Sequence, residues 1–489
     1  MSTMTQAKPA MSLRDLVQTL KPKPAKSPFA GKHVHFIGIG GSGMCGLANM
    51  LLDQGAIVSG TDRSASAVTH KLSEMGATVS YEQTAASIPA DTQLVVHTVA
   101  VKPDHPEMIE AKSRGLETLK YAQMLGRVFN QKYGIAIAGT HGKSTTTAMT
   151  AHVLLSTGRD PSFVVGATCP QLGGSARSGG GDYFVVEACE YDRSFHNLRP
   201  QVGVVLNVEE DHLDYYKNLD EIVESFGVFM SQVDAGGIVL TAADNANALK
   251  AARQSNARVE TYAVEAAADW QASGIRRFQG KAHFAVSYHG KKMGQMTLTL
   301  AGKHNVGNAL VATAVATQCG IPFEEIAAAI ESFKAPDRRS QLLCEAGGVH
   351  IVDDYGHHPT EIRATLLALR EHYRPDRLIC VFQPHQHSRT RFLLEDFTRS
   401  FSHADVVIVP DIYFVRDSEA DRKAVNSAML VEGIKAQGRE ARYIPDFASI
   451  IDHVQSELRP GDLVVSMGAG PVWEVTHELV RRISAGRPA

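Results

Sequence analysis

Residues 136–150, AIAGTHGKSTTTAMT, join a short apolar strand, predicted over 133–138, to a stretch that can start a helix. A glycine turn lies between them and consists of Gly139, Thr140, His141, Gly142, Lys143 and Ser144. Backbone N–H groups of such a turn and the positive end of the helix dipole favour an anion, while Lys143 adds a positive charge and Ser144 a hydroxyl ligand for Mg²⁺. The stretch therefore predicts a site for the phosphates of ATP or GTP.

The match to the usual phosphate loop is incomplete. The spacing G-x-x-x-x-G-K-[ST] requires a glycine at position 137, where this sequence has Ile137. A turn that only caps a helix is the alternative interpretation, and the preceding strand and the following threonines favour the phosphate loop.

Length and composition indicate a multidomain globular protein. With 489 residues, 44 % of them hydrophobic and 21 % charged, the chain is too long for one core and suggests about three domains. A net charge of −3 gives no electrostatic argument for a nucleic-acid or membrane partner. The six scattered cysteines and the lack of an apolar run of about 18 residues predict a cytoplasmic protein with reduced thiols.

Apolar strands alternate with helical patterns along most of the chain, which predicts an α/β fold with parallel sheets. We expect a flexible tail at 1–30, a Rossmann-like domain at 31–130, a central phosphate-loop domain at 131–335 and a second Rossmann-like domain at 336–489. The segment 258–300 differs, because its short alternating runs predict hairpin strands. The other strands are predicted at 33–39, 56–60, 94–98, 133–138, 183–186, 202–207, 236–240, 350–352, 378–382, 406–409 and 462–467.

A second glycine turn follows the first strand. Gly38, Gly40 and Gly43 form G-x-G-x-x-G between a strand and a helix, and Asp62 ends the next strand. This pattern is typical of a dinucleotide site. Because the chain also has a phosphate loop, one economical interpretation is that the first site holds a nucleotide handle on the substrate while ATP drives the reaction.

Carboxylates follow two strands near the phosphate loop. Glu187 follows the strand at 183–186, where a Mg²⁺ ligand of a nucleotide site belongs, although a solvated strand end is the alternative. His212 stands among four carboxylates in the run 208–214 and is predicted either to bind a second metal or to lie in a hydrated loop.

Asn305 and Asn308 are three residues apart on one helix face and could pair with a base edge, although an asparagine near a helix start is more often a cap. In the last third, polar runs at 353–359 and 383–391 combine histidines, aspartates and arginines. The arginines favour an anionic substrate over a metal site or a plain surface.

Seven motifs together resemble one family, the ATP-dependent Mur ligases of peptidoglycan synthesis. They occur in this order: HFIGIGGSGM (35–44), GTHGKSTTTA (139–148), EACEYDRSF (187–195), NVEEDHLDYY (207–216), KHNVGNA (303–309), VDDYGHHPTE (352–361) and FQPHQHSRTR (382–391). The resemblance covers all but the first 30 residues, and the short phosphate loop is similar to the family's own form. It is strongest to the members that join L-alanine to UDP-N-acetylmuramate.

The resemblance implies three domains and a set of residue roles. Lys143 would hold ATP phosphates, Ser144 and Glu187 a first Mg²⁺, and His212 a second. Asn305 and Asn308 would contact adenine, and Arg338 or Arg339 would lie near the phosphates. The UDP substrate would bind at the first glycine turn, which comprises Gly38, Gly40, Gly41, Ser42 and Gly43, together with Asp62. The muramate and L-alanine would bind at a C-terminal cluster of Tyr355, His357, His385, Arg389 and Arg391.

Some positions depart from the family pattern, namely Cys45, Asn49, Ser144, Cys189–Tyr191 and Gln386, and they leave the substrate contacts least determined.

Three alternatives stay open. The first is a recycling ligase of the same family that adds a tripeptide to UDP-N-acetylmuramate. The others are a nicotinamide-dependent oxidoreductase, which would leave the phosphate loop unexplained, and a catalytically silent nucleotide-binding regulator.

Overall fold

The chain folds into three sheets in sequence order. The computed structural model describes residues 27–415 and 417–485, apart from the side chain of Ser42, so most of the predicted tail at 1–30 lies outside the described residues. Each sheet carries helices, and most neighbouring strands are parallel. The predicted α/β fold with three domains is confirmed.

The first sheet is a five-stranded parallel sheet with the order β3-β2-β1-β4-β5. Its strands are β1 His33–Ile37, β2 Ile57–Thr61, β3 Thr78–Ser80, β4 Leu94–His97 and β5 Glu117–Lys120. Its helices are α1 Ser42–Asp53, α2 Ala67–Glu74, α3 Pro106–Ser113 and α4 Tyr121–Phe129. The strand order reverses at β1, and ligands of such sheets bind at this point.

The middle sheet has ten strands in the order β15-β14-β13-β12-β11-β10-β6-β9-β7-β8. The strands are β6 Tyr133–Ala138, β7 Ser162–Val164, β8 Ala176–Arg177, β9 Tyr183–Glu187, β10 Val202–Val205, β11 Ile238–Ala242, β12 Arg258–Val264, β13 Trp270–Phe278, β14 Lys281–Tyr288 and β15 Lys291–Leu298. The helices are α5 Lys143–Ser156, α6 Leu219–Ser231, α7 Ala246–Ala252, α8 Lys303–Gln318 and α9 Phe323–Ser332. The hairpins predicted at 258–300 are present from β13 onward, because β13, β14 and β15 pair antiparallel, whereas β12 pairs parallel with β11 and β13.

Both faces of the middle sheet are covered. Along β6, Ile135 and Ile137 pack in one hydrophobic cluster with α5, α8 and α9, whereas Ala136 and Ala138 pack in another with α6 and the first domain. Side chains of a strand alternate between faces, so this strand is buried on both. Trp270, fully buried, stacks on Tyr288 at 4.3 Å and donates a hydrogen bond to Glu260 over 2.8 Å.

The third sheet has the order β16-β17-β21-β18-β19-β20, and only its edge strand β16 pairs antiparallel. The strands are β16 Gln341–Ala346, β17 Val349–Asp354, β18 Arg377–Phe382, β19 Val406–Val409, β20 Glu440–Tyr443 and β21 Asp462–Met467. The helices are α10 Pro359–Tyr373, α11 His387–Phe392, α12 Leu394–Thr398, α13 Glu419–Ala424, α14 Ser427–Ala436, α15 Phe447–Glu457 and α16 Trp473–Ala485. Trp473 at the start of α16 is 37 % exposed.

Among the described residues, every helix is too short or too polar to pass through a lipid bilayer. The topology concentrates polar side chains instead at one edge. Strands β10, β6 and β9 are neighbours and parallel, so the residues after their carboxyl ends, Leu206, Gly139 and Ala188, lie at the same edge of the middle sheet. This edge faces the third domain.

Candidate active site

The phosphate loop is a tight turn that only glycine fits at two positions. Gly139 has φ +145°, and a Cβ there would lie 2.9 Å from Leu206. Gly142 precedes α5 with φ +83°, and its Cβ would lie 3.0 Å from Asn308 Oδ1. The close approach of α8 and the left-handed conformation therefore hold the loop in one shape at the N-terminus of α5.

Lys143 points back into this loop. Its ammonium donates to the carbonyl oxygens of Gly139 and Thr140 over 2.5 and 3.0 Å and to Glu190 Oε1 over 2.9 Å. Burial alone would lower the pKa of Lys143, but Glu190 outweighs it and raises the pKa above its usual value. Lys143 is therefore a fixed positive charge beside the turn.

Ser144 and Glu187 meet at the next position. The Ser144 hydroxyl donates to Glu187 Oε1 over 3.1 Å, and Gly166 N–H donates to Glu187 Oε2 over 2.6 Å. From the third domain, Arg339 donates to the Ser144 hydroxyl over 3.1 Å. A hydroxyl and a carboxylate side by side are oxygen ligands of the kind Mg²⁺ requires, so these residues fit the predicted ion.

His212 also lies next to Glu190. Its Nε2 is 3.7 Å from Glu190 Oε1 and 3.8 Å from Asp211 Oδ2, and its φ is +54°. Glu190 Oε2 is buried and has no hydrogen-bond partner. A buried carboxylate oxygen without a partner next to an imidazole fits a cation, and the two side chains are therefore candidates for the second metal.

A cluster of five side chains joins the phosphate loop to the third domain, and we call it the interface cluster. It consists of His141, Glu209, His358, Thr360 and Glu361. His141 Nε2 is 3.3 Å from Glu209 Oε2, and His141 Nδ1 is 3.2 Å from Glu361 Oε1, an ion-pair contact without hydrogen-bond alignment. Burial lowers the pKa of His141, but the two carboxylates raise it to about 9.

A cavity of about 650 Å³ opens between the middle and third domains. Asn305 and Asn308 line it together with Tyr262, His304 and Arg339. Asn305 donates to the carbonyl of Ala301 over 2.7 Å, and Asn308 donates to Asn305 Oδ1 over 3.0 Å. The two asparagines are thus tied to the start of α8 and to each other, at the wall of a cavity large enough for a nucleotide.

The first glycine turn is also closely packed. Gly38 N–H donates to the Thr61 carbonyl over 2.8 Å, and Gly40 N–H donates to Asp62 Oδ2 over 2.7 Å. The other oxygen, Asp62 Oδ1, accepts from Arg63 N–H over 2.7 Å. Asp62 therefore holds the backbone of the glycine turn through Gly40. Ser42 belongs to the same turn by its position in the sequence.

The turn packs against the start of α4, next to a residue that contacts the middle domain. A Cβ on Gly43 would lie 2.8 Å from the Tyr121 ring, and Lys120 next to it forms an ion pair with Asp192 of the middle domain over 3.1 Å. The first glycine turn is therefore linked, through Tyr121 and Lys120, to the loop that follows β9 and Glu187.

Arg389 and Asp211 form a buried ion pair between the middle and third domains. Arg389 Nε and Nη2 both donate to Asp211 Oδ1 over 3.1 and 2.9 Å, and Arg389 Nη1 lies 3.2 Å from His385 Nδ1. Burial would raise the pKa of Asp211, but Arg389 holds it well below its usual value. The arginine therefore already binds a carboxylate here.

His357 and Tyr355 complete this group. The His357 ring is 6.1 Å from that of His385 and 5.4 Å from that of Tyr355, and burial and Arg389 lower the pKa of His357 to about 3. His357 is neutral at physiological pH.

Two predicted arginines lie elsewhere. Arg391 forms an ion pair with Asp421 of α13 over 2.9 Å and is half exposed, so it does not join the group around Arg389. Arg338 is bound to Asp353 and to the Gly468 carbonyl over 3.0 and 2.7 Å, whereas its neighbour Arg339 reaches the phosphate loop.

Sequence reasoning assigned no role to Glu190, Asp211 or Glu361. Glu190 and Asp211 stand inside the quoted motifs, next to residues that were singled out, and their acidic type beside Cys189 and His212 was the available signal. Glu361 is the third residue of α10 and contacts His141, more than 200 positions away, so sequence spacing gives no signal for it.

Comparison with known proteins supports one family. Three family models match in order: Mur ligase family, catalytic domain, at 33–133; Mur ligase middle domain at 137–316; and Mur ligase, glutamate ligase domain, at 338–470. The chain is 40 % identical over 457 residues to the UDP-N-acetylmuramate–L-alanine ligase of Geobacter sp. strain M21, covering 93 % of this chain and 98 % of that protein. It is 41 % identical over 454 residues to the enzyme of the same name from Pelotomaculum thermopropionicum, covering 92 % and 98 %.

Solved structures give the same result. The UDP-N-acetylmuramate-alanine ligase of Thermotoga maritima superposes with a TM-score of 0.78 at 25 % identity, over 93 % of this chain and all of that one. A murein peptide ligase of Psychrobacter arcticus superposes with a TM-score of 0.68 at 25 % identity, over 94 % of this chain and all of that one. The phosphate loop, the acidic groups beside it and the three sheets occur here in a chain that belongs to the Mur ligase family.

Proposed function

We propose that this protein is an ATP-dependent ligase that joins L-alanine to the lactyl carboxylate of UDP-N-acetylmuramate in peptidoglycan precursor synthesis. The relatives of that name support the proposal over almost the whole chain. The structural observation that carries the proposal is the contact between Arg339 of the third domain and Ser144 of the phosphate loop. This contact brings an arginine of a second domain onto the nucleotide site.

The reaction requires an activated carboxylate, since a carboxylate does not react with an amine directly. A lactyl oxygen attacks the γ-phosphorus of ATP, ADP leaves, and an acyl phosphate forms. The neutral amine of L-alanine then attacks the acyl carbon, phosphate leaves, and the amine loses a proton as the amide forms. Lys143 and Arg339 neutralise the charge that develops on the transferred phosphoryl oxygens.

Mg²⁺ at Ser144, Glu187 and His212 would add positive charge at the same oxygens. Lys143 must exchange its loop carbonyls or Glu190 Oε1 for a phosphate oxygen, and Glu190 Oε2, which has no hydrogen-bond partner, is available for a cation beside His212. Gly139, Thr140, His141 and Gly142 supply the backbone of the loop, and the cavity beside Asn305 and Asn308 takes the adenosine.

The other substrates fit two further places. The turn formed by Gly38, Gly40, Gly41, Ser42 and Gly43 would bind the UDP diphosphate, and Asp62 would hold that turn in shape. Arg389 would bind the carboxylate of L-alanine in exchange for Asp211, since its Nε and Nη2 already donate to a carboxylate oxygen there. His357, His385 and Tyr355 would enclose the muramate and the amine, and neutral His357 adds no positive charge beside Arg389, so the amine proton leaves with the phosphate.

In this proposal the substrate domain spans 31–130, the ATPase domain 131–335 and the closing domain 336–489. Closure excludes water, which would otherwise hydrolyse the acyl phosphate. The supply of ATP and UDP-sugars puts the reaction in the cytoplasm.

A second candidate is the recycling ligase that adds a preformed tripeptide to the same UDP-muramate. The similarity of the fold to the murein peptide ligase of Psychrobacter arcticus favours it. The higher TM-score of the alanine ligase of Thermotoga maritima favours the first candidate.

Phosphate release distinguishes the candidates. The purified protein is supplied with ATP, Mg²⁺ and UDP-N-acetylmuramate, together with L-alanine, with L-alanyl-D-glutamyl-diaminopimelate, or with neither. We expect release only with L-alanine, and we expect Lys143→Ala to abolish it. Release only with the tripeptide would establish the recycling activity, and release with neither would contradict both.

A further inference from the structure

The interface cluster contains a ligand set that the ligase reaction does not use. One ligand atom each of His141, Glu209 and His358 lies within 4.8 Å of the other two. His141 Nε2 is 3.3 Å from Glu209 Oε2, and His358 Nδ1 is 3.9 Å from the same oxygen. His141 and Glu209 belong to the middle domain, whereas His358 precedes α10 of the third domain.

The separations are close to those of a tetrahedral metal site. With metal–ligand bonds of about 2.0–2.2 Å and tetrahedral angles, two ligand atoms stand roughly 3.4 Å apart. The contact between His141 and Glu209 already has that length, and the contact between His358 and Glu209 has to shorten by only about 0.5 Å. The two imidazole ligand atoms lie no more than 4.8 Å apart, so side-chain rotations that also bring them closer by up to about 1.4 Å complete a three-ligand set with one open position.

One of the two remaining ring nitrogens is hydrogen-bonded as in known zinc sites, and the other has a carboxylate close by that a small rotation of the ring would align. His358 Nε2 lies 3.0 Å from the Glu210 carbonyl, and His141 Nδ1 lies 3.2 Å from Glu361 Oε1. A carbonyl or carboxylate on the second nitrogen fixes the ring and leaves the other nitrogen as the ligand. The groups that a metal would displace are the proton of His141, the Thr360 N–H that lies 3.3 Å from His358 Nδ1, and the Thr360 hydroxyl that donates to Glu209 over 2.6 Å.

From this geometry we infer that His141, Glu209 and His358 form a binding site for Zn²⁺ that ties the third domain to the phosphate loop. Two imidazoles and one carboxylate suit Zn²⁺ and not Mg²⁺, which prefers oxygen ligands. The site is separate from Ser144, Glu187 and His212, and His141 and Glu209 line the cavity, which gives an ion a route to it.

Bound Zn²⁺ has a consequence that rests on the proposed function. A ligase of this design must separate the two domains to release ADP and product, and an ion held by both domains opposes that separation. We expect Zn²⁺ to inhibit turnover at concentrations far below those of Mg²⁺.

Binding is tested first on the whole chain without nucleotide or Mg²⁺. Zn²⁺ is titrated in competition with a chromophoric chelator, and Co²⁺ is used to record the visible bands of a tetrahedral site. We expect one equivalent to bind, Glu361→Gln to weaken the binding about 10- to 100-fold, and His358→Gln to weaken it further. His212→Gln and the exposed-surface control His70→Gln should bind as the unchanged protein does.

The outcomes separate the possibilities. Equal binding by the unchanged protein and His358→Gln, or no binding at all, overturns the site. Loss of binding in His212→Gln instead overturns it as well, because Zn²⁺ then occupies the proposed Mg²⁺ ligands. Melting curves of the metal-free variants show whether each is folded.

The inhibition is tested separately with the phosphate-release assay at saturating Mg²⁺ and ATP. Micromolar Zn²⁺ should inhibit the unchanged protein, and His358→Gln should need at least 10-fold more Zn²⁺ for the same inhibition relative to its own zinc-free rate. Equal sensitivity contradicts the locking role. Absence of any ligase activity would contradict the proposed function but leave the binding result intact.

Discussion

At the scale of single residues, two arginines of one short helix have different surroundings. Arg389 is buried against Asp211 and His385, whereas Arg391 is half exposed against Asp421. We expect Arg389→Lys to raise the KM for L-alanine at least 10-fold, since lysine loses the forked geometry, and the matched change Arg391→Lys to alter it by less than about 2-fold. Steady-state kinetics with varied L-alanine measures both, and equal effects would place Arg391 in the site as well.

His152 of α5 predicts a pH dependence of stability. Burial lowers its pKa to about 4, its Nε2 lies 2.9 Å from the Ala329 carbonyl, and its Nδ1 is buried without a hydrogen-bond partner. The folded state therefore keeps it neutral, while the unfolded state takes up a proton below about pH 6.5. The stability present above pH 6.5 is lost as the pH falls toward 4, by roughly 2 kcal/mol at pH 5.

Urea unfolding at pH 8 and pH 5 tests this for the unchanged protein and His152→Gln. The free energy of unfolding should fall less between the two pH values in the variant. Other histidines, such as His304 and His357, contribute equally to both proteins and cancel in the comparison. Identical pH dependences would show that His152 is not the source.

The residues of the phosphate site were within reach of sequence reasoning. Gly139, Lys143 and Ser144 are contiguous, and Glu187 follows the adjacent strand, so local pattern and parallel-sheet topology suffice. The partners of His141 and Arg389 could not be predicted from the sequence. Glu361 and Asp211 each belong to a different domain from the residue they contact, and only the packing of the domains brings them close.

At the scale of elements, the first glycine turn tolerates a methyl group at one position and not at its neighbour. A Cβ on Gly40 would lie 2.8 Å from Asp62 Oδ2 and 2.9 Å from Thr69 Cγ2, whereas a Cβ on Gly41 would meet only ordinary contacts from 3.4 Å upward. We expect Gly40→Ala to lower the free energy of unfolding by about 1–3 kcal/mol through overpacking, and Gly41→Ala to change it much less. Urea unfolding compares the two, and a larger loss in Gly41→Ala would contradict the packing argument.

Central strands were predicted better than edge strands. The predicted strands at 133–138, 406–409 and 462–467 match β6, β19 and β21 fully, and the others differ by a few residues at their ends. The strands not predicted include β3, β5 and β20, which have sequences TVS, ETLK and EARY. A strand buried on both faces has a continuous apolar run that the sequence reveals. A short edge strand has polar residues and adopts its conformation by hydrogen-bonding to the neighbouring strand.

At the scale of the whole molecule, buried and partly buried polar contacts hold the third domain on the middle one. They include Arg389 with Asp211, Arg339 with Ser144, and Thr360 with Glu209. Removing one partner of a buried pair leaves a charge that prefers water. We expect Asp211→Ala to shift the chain toward an open arrangement, seen as a larger radius of gyration in small-angle X-ray scattering.

Arg391→Ala is the matched control, since its pair with Asp421 lies within the third domain. Its radius of gyration should equal that of the unchanged protein. No increase in Asp211→Ala would show that the buried pair does not hold the domains together.

The two tryptophans give the molecule built-in optical probes. Trp270 lies buried in the middle domain, Trp473 lies partly exposed in the third, and the first domain has none. Buried indoles emit at shorter wavelengths than hydrated ones, so the emission spectrum contains a separate component from each domain. Trp473→Phe therefore leaves a fluorescence signal from the middle domain alone, and Trp270→Phe leaves a signal from the third domain alone. Unfolding of each of these domains can thus be followed without an added dye.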